Sequence, residues 1–128
     1  MQGYILNIEE ETLKNSDFRR VLYTAKHCQL VLMSIAPGEE IGTEVHSLDQ
    51  FIRVEKGDAR VILDGVEHEL RADFAVVIPA GTRHNVINVG TDSVKLYTLY
   101  SPPEHRDGVV HSTKSSVTEE HFDGETTE

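Results

Sequence analysis

The chain has 128 residues, of which 38% are hydrophobic, and this size and composition are typical of one domain with one modest core. Its formal net charge of -10 disfavours nucleic acid and anionic membrane surfaces as partners, although a bound metal ion or a local arginine could still attract an anionic substrate. No apolar run approaches the ~20 residues of a membrane-spanning helix, and the beginning of the chain, with three glutamates soon after Leu6, does not resemble a secretory signal peptide.

The N-terminal part of the chain gives few structural signals. Residues 1 to about 20 are mixed in character, and Glu9–Glu11 is interpreted as a charged stretch that is exposed to solvent. The single cysteine, Cys28, excludes an internal disulfide, so a reducing cytoplasm is the expected setting. Because Cys28 adjoins an apolar, strand-like run, we expect it to be a small buried hydrophobic residue.

Short apolar segments separated by glycine, proline and aspartate follow from residue 30 onward. The run Leu30–Ile35 predicts a buried strand that Pro37-Gly38 ends, and Asp64-Gly65 is a strong hairpin signal. Short strands at even spacing with such turns indicate an all-β barrel or sandwich. The predicted strands are Leu30–Ile35, Phe51–Glu55, Ala59–Leu63, Val66–Leu70, Ala75–Ile78, Asn85–Val89 and Val94–Tyr100.

A polar segment follows Ser101-Pro102-Pro103. We expect residues 1–111 to form a single domain, with its barrel at about 30–101, and residues 112–128 to form a polar tail that is either poorly ordered or a short surface helix. Three histidines of this segment are spread among acidic residues, and we expect each to be exposed to solvent: His105, His111 and His121.

Two spaced groups of residues carry the chemistry of the chain. They read Gly38-x5-Glu44-x-His46-x3-Gln50-x6-Gly57 and Pro79-x-Gly81-x2-His84-x3-Asn88. Both resemble the motifs of the cupin family, Gly-x5-His-x-His-x3/4-Glu-x6-Gly and Gly-x5-Pro-x-Gly-x2-His-x3-Asn. The first family motif supplies three metal ligands and the second supplies a fourth.

The chain departs from the family pattern at three positions. Glu44 stands where the family has its first histidine, Gln50 stands where it has its glutamate, and Asp73 replaces the glycine that opens the second motif. The resemblance implies a double-stranded β-helix, or jelly-roll barrel, over about residues 30–101. It also implies a divalent transition metal, with zinc, manganese, iron and nickel all open.

The metal ligands that the resemblance implies are Glu44, His46, Gln50 and His84. Glu44 and His46 are two residues apart, so in a strand they would share the face that points into the barrel. One carboxylate and three neutral ligands would leave a divalent ion with a net charge of about +1, the same sum as in the family pattern. The carboxylate has moved from the third ligand position to the first, which indicates a rearranged site.

Two alternatives remain for these residues. Gln50 could donate a hydrogen bond to a metal-bound water, which would leave a set of two histidines and one carboxylate that suits non-haem Fe(II). The histidines could also be satisfied by hydrogen bonds inside a barrel that binds no metal.

The surroundings of the site follow from strand parity. Ile52, Val54 and Val86 have the parity of the ligands and are expected to form an apolar wall. Tyr97 and Tyr100 are candidate catalytic residues, because a tyrosine in such a pocket can donate a proton or orient a substrate oxygen. The alternative is that both tyrosines are half-buried core residues.

Apolar residues also lie out of phase with the ligands. Phe51 and Ile87 would face outward, which predicts that a second subunit covers this sheet and that the protein is a homodimer. The other expected partner is a small-molecule substrate.

Two kinds of enzyme fit these residues. One is an isomerase or lyase that acts on a sugar-like hydroxy-carbonyl compound, in which the ion polarises an oxygen and a neighbouring group moves a proton. The ligand kinds are similar to those of cupin-fold mannose-6-phosphate isomerases, although the longer chains and phosphate-binding residues of those enzymes are absent. The other is an Fe(II) dioxygenase using Glu44, His46 and His84. A non-catalytic module that binds a small molecule or a metal is the third interpretation.

Overall fold

Two antiparallel sheets form the protein in its computed structural model, which describes residues 1–128. The elements in chain order are α1 (Ile8–Lys14), β1 (Arg19–Thr24), β2 (Gln29–Ile35), β3 (Asp49–Lys56), β4 (Asp58–Leu63), β5 (Val66–Arg71), β6 (Ala75–Ile78), β7 (His84–Asn88), β8 (Val94–Ser101), β9 (Val110–His111) and a 3₁₀ helix at Lys114–Ser116. The larger sheet has the order β6-β3-β8-β2-β1-β9 and the smaller has the order β5-β4-β7. This arrangement confirms the predicted all-β jelly roll.

The hydrophobic core lies between the two sheets. In β8 the residues of one parity are buried and their neighbours are half-buried, as expected for a strand with one face on the core. A cluster of 17 buried hydrophobic residues joins both sheets and includes Ile52, Val54 and Val86, which were predicted to form an apolar wall of the site and lie in the core. Each predicted strand is found, with its ends within two residues of the expected positions.

Glycines shape the turns between these strands. Gly57, the last residue of the first motif, has a φ of +99°, and a Cβ atom there would lie 3.0 Å from the carbonyl oxygen of Ser93 and from Cα of Val94. Only glycine fits such a close approach without a shift of the backbone. At the β4–β5 hairpin, Asp64 and Gly65 both have positive φ, as a two-residue hairpin loop requires.

The N-terminal region contains two elements that the sequence patterns did not predict. Helix α1 begins after Asn7, whose side chain accepts a hydrogen bond from the amide of Glu10, and Glu9–Glu11 lie exposed in its first turn. Strand β1 pairs with β2 as a hairpin. The prediction that Cys28 is buried is wrong, because Cys28 lies in the turn before β2 and is exposed.

The C-terminal segment packs on the barrel. The amides of Arg106, Phe122 and Thr127 donate to the carbonyl oxygens of Glu120, Glu104 and Thr24 at 3.1, 2.9 and 2.9 Å. Residues 112–128 therefore fold back beside residues 104–106, with one 3₁₀ turn at their start. None of the helices has the length and apolar character needed to span a bilayer.

Candidate metal centre

A short backbone bridge places Glu44 and His84, one from each motif, opposite each other. Glu44 lies outside the named strands, but its amide donates to the carbonyl oxygen of His84 at 2.8 Å, and the amide of His84 donates to Glu44 at 2.9 Å. His84 is the first residue of β7, immediately after the Pro79–Gly81 turn. Residues of two distant motifs thus become cross-strand neighbours, and their side chains can reach one point.

Glu44, His46 and His84 form one cluster. Each offers a ligand atom, and these atoms all lie within 4.8 Å of one another. Nε2 of His46 lies 2.7 Å from Oε2 of Glu44. The hydrogen on this nitrogen would not point toward the oxygen, however, and Nε2 is buried without a hydrogen-bond partner. Two ligand-type atoms therefore approach each other without forming a proper hydrogen bond, as they would around a shared cation.

The Nδ1 atom of each histidine, which points away from Glu44, faces an oxygen atom of a neighbouring group. Nδ1 of His84 lies 2.8 Å from the carbonyl oxygen of Thr82, so it carries the proton and leaves Nε2 with a free lone pair. Nδ1 of His46 lies 3.7 Å from Oε2 of Glu104. A carbonyl or carboxylate behind a histidine is the usual support of a metal-ligating imidazole.

The charges of the cluster favour an ionised carboxylate. Burial acts to raise the pKa of Glu44, but the contact with His46 and the charges of His46, Arg19 and His84 outweigh it, so this pKa lies below its usual value. The contact with Glu44 raises the pKa of His46, and burial opposes this effect. A divalent cation would replace the proton of His46 as the partner of the Glu44 carboxylate.

Gln50 occupies the inner face of β3 and is buried. Its Nε2 donates to Oγ1 of Thr98 at 3.1 Å, which leaves Oε1 buried and without a partner. Its cross-strand neighbour on β8 is Tyr100, whose ring contacts that of His46 at a centroid distance of 6.0 Å. An unpartnered buried amide oxygen costs free energy, so the residues present fit a metal held by Glu44, His46 and His84 and leave Oε1 of Gln50 available as an acceptor.

The two tyrosines lie on opposite faces of β8. Tyr100 is buried, and its ring also meets that of His105 edge to face at a centroid distance of 5.1 Å. Burial raises the pKa of Tyr100, so its hydroxyl is protonated and can act as a donor. Tyr97 packs against Phe51 on the outer face, and the structure does not bring it to the cluster.

The cluster opens into a cavity of about 180 Å³ that the C-terminal segment partly covers. The lining residues that the motif analysis did not identify are Phe18, Arg19, Ile41, Glu104, His105, Lys114, Val117, Thr118, Glu119, Glu120 and His121. Gln29, which has no exposed surface, fixes this cover: its Oε1 accepts from the amide of His105 at 3.0 Å and its Nε2 donates to the carbonyl of His105 at 2.7 Å.

The exposure predicted for the three C-terminal histidines is correct for only one of them. The side chain of His121 is 67% exposed, but His111 is buried and His105 is partly buried with its Nε2 atom fully enclosed. The prediction is wrong for the latter two because strand β9 and the bridge between His105 and His121 hold this segment against the barrel. Arg19 lies two residues before the buried Val21, so the two side chains point to the same face of the strand, and this parity could have predicted that Arg19 is buried. No local sequence pattern predicts that Glu104 or His105 lies at the cavity.

Known proteins with similar sequences and folds match most of this chain. The chain is 44% identical over 121 residues to the uncharacterized protein YrkC of Bacillus subtilis (strain 168), covering 89% of this chain and 65% of YrkC. The crystal structure of BH2720 from Bacillus halodurans matches with a TM-score of 0.88 and 47% identity, over 90% of this chain and 92% of that one. A more distant relative is the polyketide synthase CurC of Streptomyces cyaneus, 30% identical over 84% of this chain and 73% of CurC.

The profile of the cupin domain matches residues 31–100, which contain both motifs and all four predicted ligands. The substitutions at Glu44 and Gln50 therefore occur within an intact family framework. The chain belongs to the cupin domain family.

Proposed function

We propose that this protein is a divalent-metal-dependent enzyme that acts on a small hydroxy-carbonyl compound, as an isomerase or lyase. The observation that carries the proposal is the convergence of Glu44, His46 and His84, of which Glu44 and His46 line a cavity. Three protein ligands, or four with Gln50, leave coordination positions open to a substrate, unlike a closed structural site. A bound divalent ion would supply Lewis-acid polarisation of a substrate oxygen.

The chain's own residues provide for the movement of a proton. Glu104 lines the cavity, and its two carboxylate oxygens lie 3.7 Å from Nδ1 of His46 and 3.3 Å from Nδ1 of His121. A carboxylate held at the cavity wall beside a metal ligand is placed to take a proton from a carbon next to a carbonyl group. Tyr100, which is protonated, is placed to donate a hydrogen bond within the same enclosure.

The substrate class has one further support. CurC, with 30% identity, bears the name polyketide synthase. Polyketide chains carry carbonyl and hydroxyl groups along one carbon skeleton, and the protons between such groups are acidic enough for a positioned carboxylate to remove. A metal-dependent isomerisation or elimination on a compound of this kind is consistent with the site.

Proton exchange tests the proposal directly. Protein loaded with Zn²⁺ or Mn²⁺ is expected to catalyse deuterium incorporation from D₂O into a hydroxy-carbonyl compound of a small panel, followed by NMR. Glu104→Gln is expected to lower the exchange rate by about 100-fold, the usual contribution of a general base. Glu125→Gln, which changes an exposed carboxylate of the same segment that does not line the cavity, is the control and should keep the wild-type rate.

Absence of exchange with every compound while metal is bound would refute the isomerase or lyase proposal. The second candidate is then an Fe(II) dioxygenase, which the set of two histidines and one carboxylate favours. Oxygen uptake by protein loaded anaerobically with Fe(II) distinguishes the two reactions. If neither activity is found, a non-catalytic binding module remains.

We also propose that the outer face of the larger sheet forms a homodimer interface. Val77, Phe51, Leu99 and Leu30 are successive cross-strand neighbours on β6, β3, β8 and β2, and they form one apolar row. Val77 is 63% exposed. A continuous apolar row of this kind is typical of an interface between copies.

Sedimentation velocity tests the dimer. Val77→Glu should convert a dimer into monomer, because it would bury a carboxylate in the apolar row. The matched control is Val66→Glu, since Val66 is 57% exposed but lies on the smaller sheet. A wild-type protein that sediments as a monomer would contradict the proposal.

A further inference from the structure

Arg19 is a buried cation without an anionic partner. It is the first residue of β1, it is 6% exposed, and no carboxylate lies within ion-pair distance of its guanidinium. Its Nη1 atom lies 3.4 Å from Nδ1 of His111, and its Nε atom is buried with no hydrogen-bond partner. Its guanidinium also lies over the Phe18 ring at 5.3 Å, but neither this ring nor His111 carries a negative charge, so the buried guanidinium lacks a counter-ion, which a ligand can supply.

The position of Arg19 connects it with the metal cluster. Arg19 lines the same cavity as Glu44 and His46. One ligand in the cavity can therefore meet the guanidinium at one end and the metal ligands at the other.

The acidic residues at the cavity mouth do not neutralise Arg19, because each is engaged elsewhere. Glu104 lies between His46 and His121, and Glu120 pairs with Arg106 at 2.9 Å. Glu119 pairs with His121 at 3.2 Å. Lys114 at the rim adds a second cation that has no carboxylate partner.

We propose that Arg19 binds the carboxylate of a small anionic substrate whose other oxygen reaches the Glu44, His46 and His84 cluster. This inference rests on the proposed metal-dependent function and narrows its substrate class to carboxylic acids that also carry a carbonyl or hydroxyl group. A guanidinium pairs with a carboxylate through two parallel hydrogen bonds, for which the unpartnered Nε is one available donor. A single deep arginine suits one negative charge better than the roughly two charges of a phosphate monoester.

The substitution that tests this proposal is Arg19→Met, which removes the charge and keeps most of the side-chain volume. Calorimetric titration of Zn²⁺-loaded protein would compare glycolate, pyruvate and malonate with their neutral amides. Wild type is expected to bind at least one carboxylate more tightly than its amide. Arg19→Met should weaken carboxylate binding by about 10- to 100-fold, the effect of losing a charge-assisted hydrogen bond, while leaving amide binding unchanged.

Two further measurements separate a binding role from a structural one. Thermal unfolding of metal-free Arg19→Met should occur at the wild-type temperature or above it, because an unpaired buried charge is removed. Its Zn²⁺ affinity should be equal or higher, because a cation near the metal is lost. Arg20→Met, the control, removes an exposed cation from the adjacent position and should bind carboxylates as wild type does.

The outcomes distinguish this proposal from the proposed function. If wild type binds Zn²⁺ but prefers no carboxylate over its amide, or if Arg19→Met weakens carboxylate and amide equally, the Arg19 proposal is overturned and the metal site stands. A marked loss of stability in Arg19→Met with unchanged carboxylate binding would also overturn it, since the arginine would then be structural. If wild type binds no metal, the proposed function itself fails.

Discussion

The double substitution His46→Ala, His84→Ala is expected to abolish specific binding of Zn²⁺, Mn²⁺, Fe²⁺ and Ni²⁺. Both imidazoles present an Nε2 atom toward Glu44, and the two nitrogens are the strongest transition-metal ligands of the cluster. Loss of a supporting residue behind a ligand commonly costs 10- to 100-fold in metal affinity, so loss of one ligand should cost at least about 100-fold and loss of both considerably more. Competition with a chromophoric chelator measures the dissociation constants.

Metal content and stability provide independent readings of the same prediction. Wild type at a free metal concentration of about 100 times the dissociation constant should gain about 2.7 kcal/mol of unfolding free energy, and the double variant should gain none. His27→Ala, His68→Ala is the matched control, because both residues are exposed and remote from the cluster. Full metal occupancy in the His46, His84 variant would show that the ion binds elsewhere and would refute the site.

The ligand positions were predictable because each depends on a local pattern. Glu44 and His46 follow a turn at the spacing of the first motif, and Pro79-x-Gly81 fixes the turn that brings His84 to the start of a strand. Short apolar runs bounded by glycine, proline and aspartate predicted the strands themselves, since these patterns are properties of neighbouring residues. These signals required no knowledge of how distant segments meet.

The rest of the site was not predictable for the opposite reason. Arg19, His46 and Glu104 are widely separated along the chain, and they meet only because β1 joins the larger sheet and the segment after β8 folds back over the cavity. Tyr97 and Tyr100 were both predicted as catalytic candidates, because parity alone does not tell which face of the strand is the inner one. Only the pairing of Gln50 with Tyr100 places Tyr100 inside.

The polar composition of residues 104–128 was misleading for a physical reason. A segment with few apolar residues has little hydrophobic driving force to pack, which favours a solvated tail. Here the packing depends on backbone and buried polar contacts, above all the three hydrogen bonds through which the Gln29 side chain holds the peptide groups of Glu104 and His105. A buried glutamine at the beginning of a strand reveals this role only when its partners are known.

The protein is expected to lose stability as the pH falls from 6.5 to 4.5, and His105 is expected to account for a large part of this loss. Burial, together with the charges of Arg19, His46, His111 and His121, lowers the pKa of His105 from 6.5 to about 3. Below pH 6.5 the unfolded chain therefore takes up a proton that the folded chain does not bind, and the unfolding free energy falls by about 1.4 kcal/mol per pH unit until the pH approaches 3. Between pH 6.5 and 4.5 this amounts to about 2 kcal/mol.

Urea unfolding of metal-free protein across this pH range measures the effect. His105→Phe keeps an aromatic ring against Tyr100 but cannot be protonated, so its stability should fall less than that of wild type by about 2 kcal/mol over the same interval. The raised pKa of His46 acts in the opposite direction, because its stabilisation is present at low pH and is lost as the pH rises. That contribution is common to both proteins and largely cancels in the comparison.

The control for this experiment is His68→Phe, which removes an exposed histidine of the smaller sheet and should retain the full pH dependence of wild type. If His105→Phe lost stability as steeply as wild type, His105 would have to become protonated in the folded protein without cost. The segment from Glu104 to His121 would then have to open at mild acidity, and hydrogen exchange of the His105 amide, which Gln29 holds at neutral pH, would detect that opening. Protection of this amide down to pH 4.5 in wild type, together with a flatter stability profile in His105→Phe, would establish that the neutral imidazole is what keeps the cavity covered.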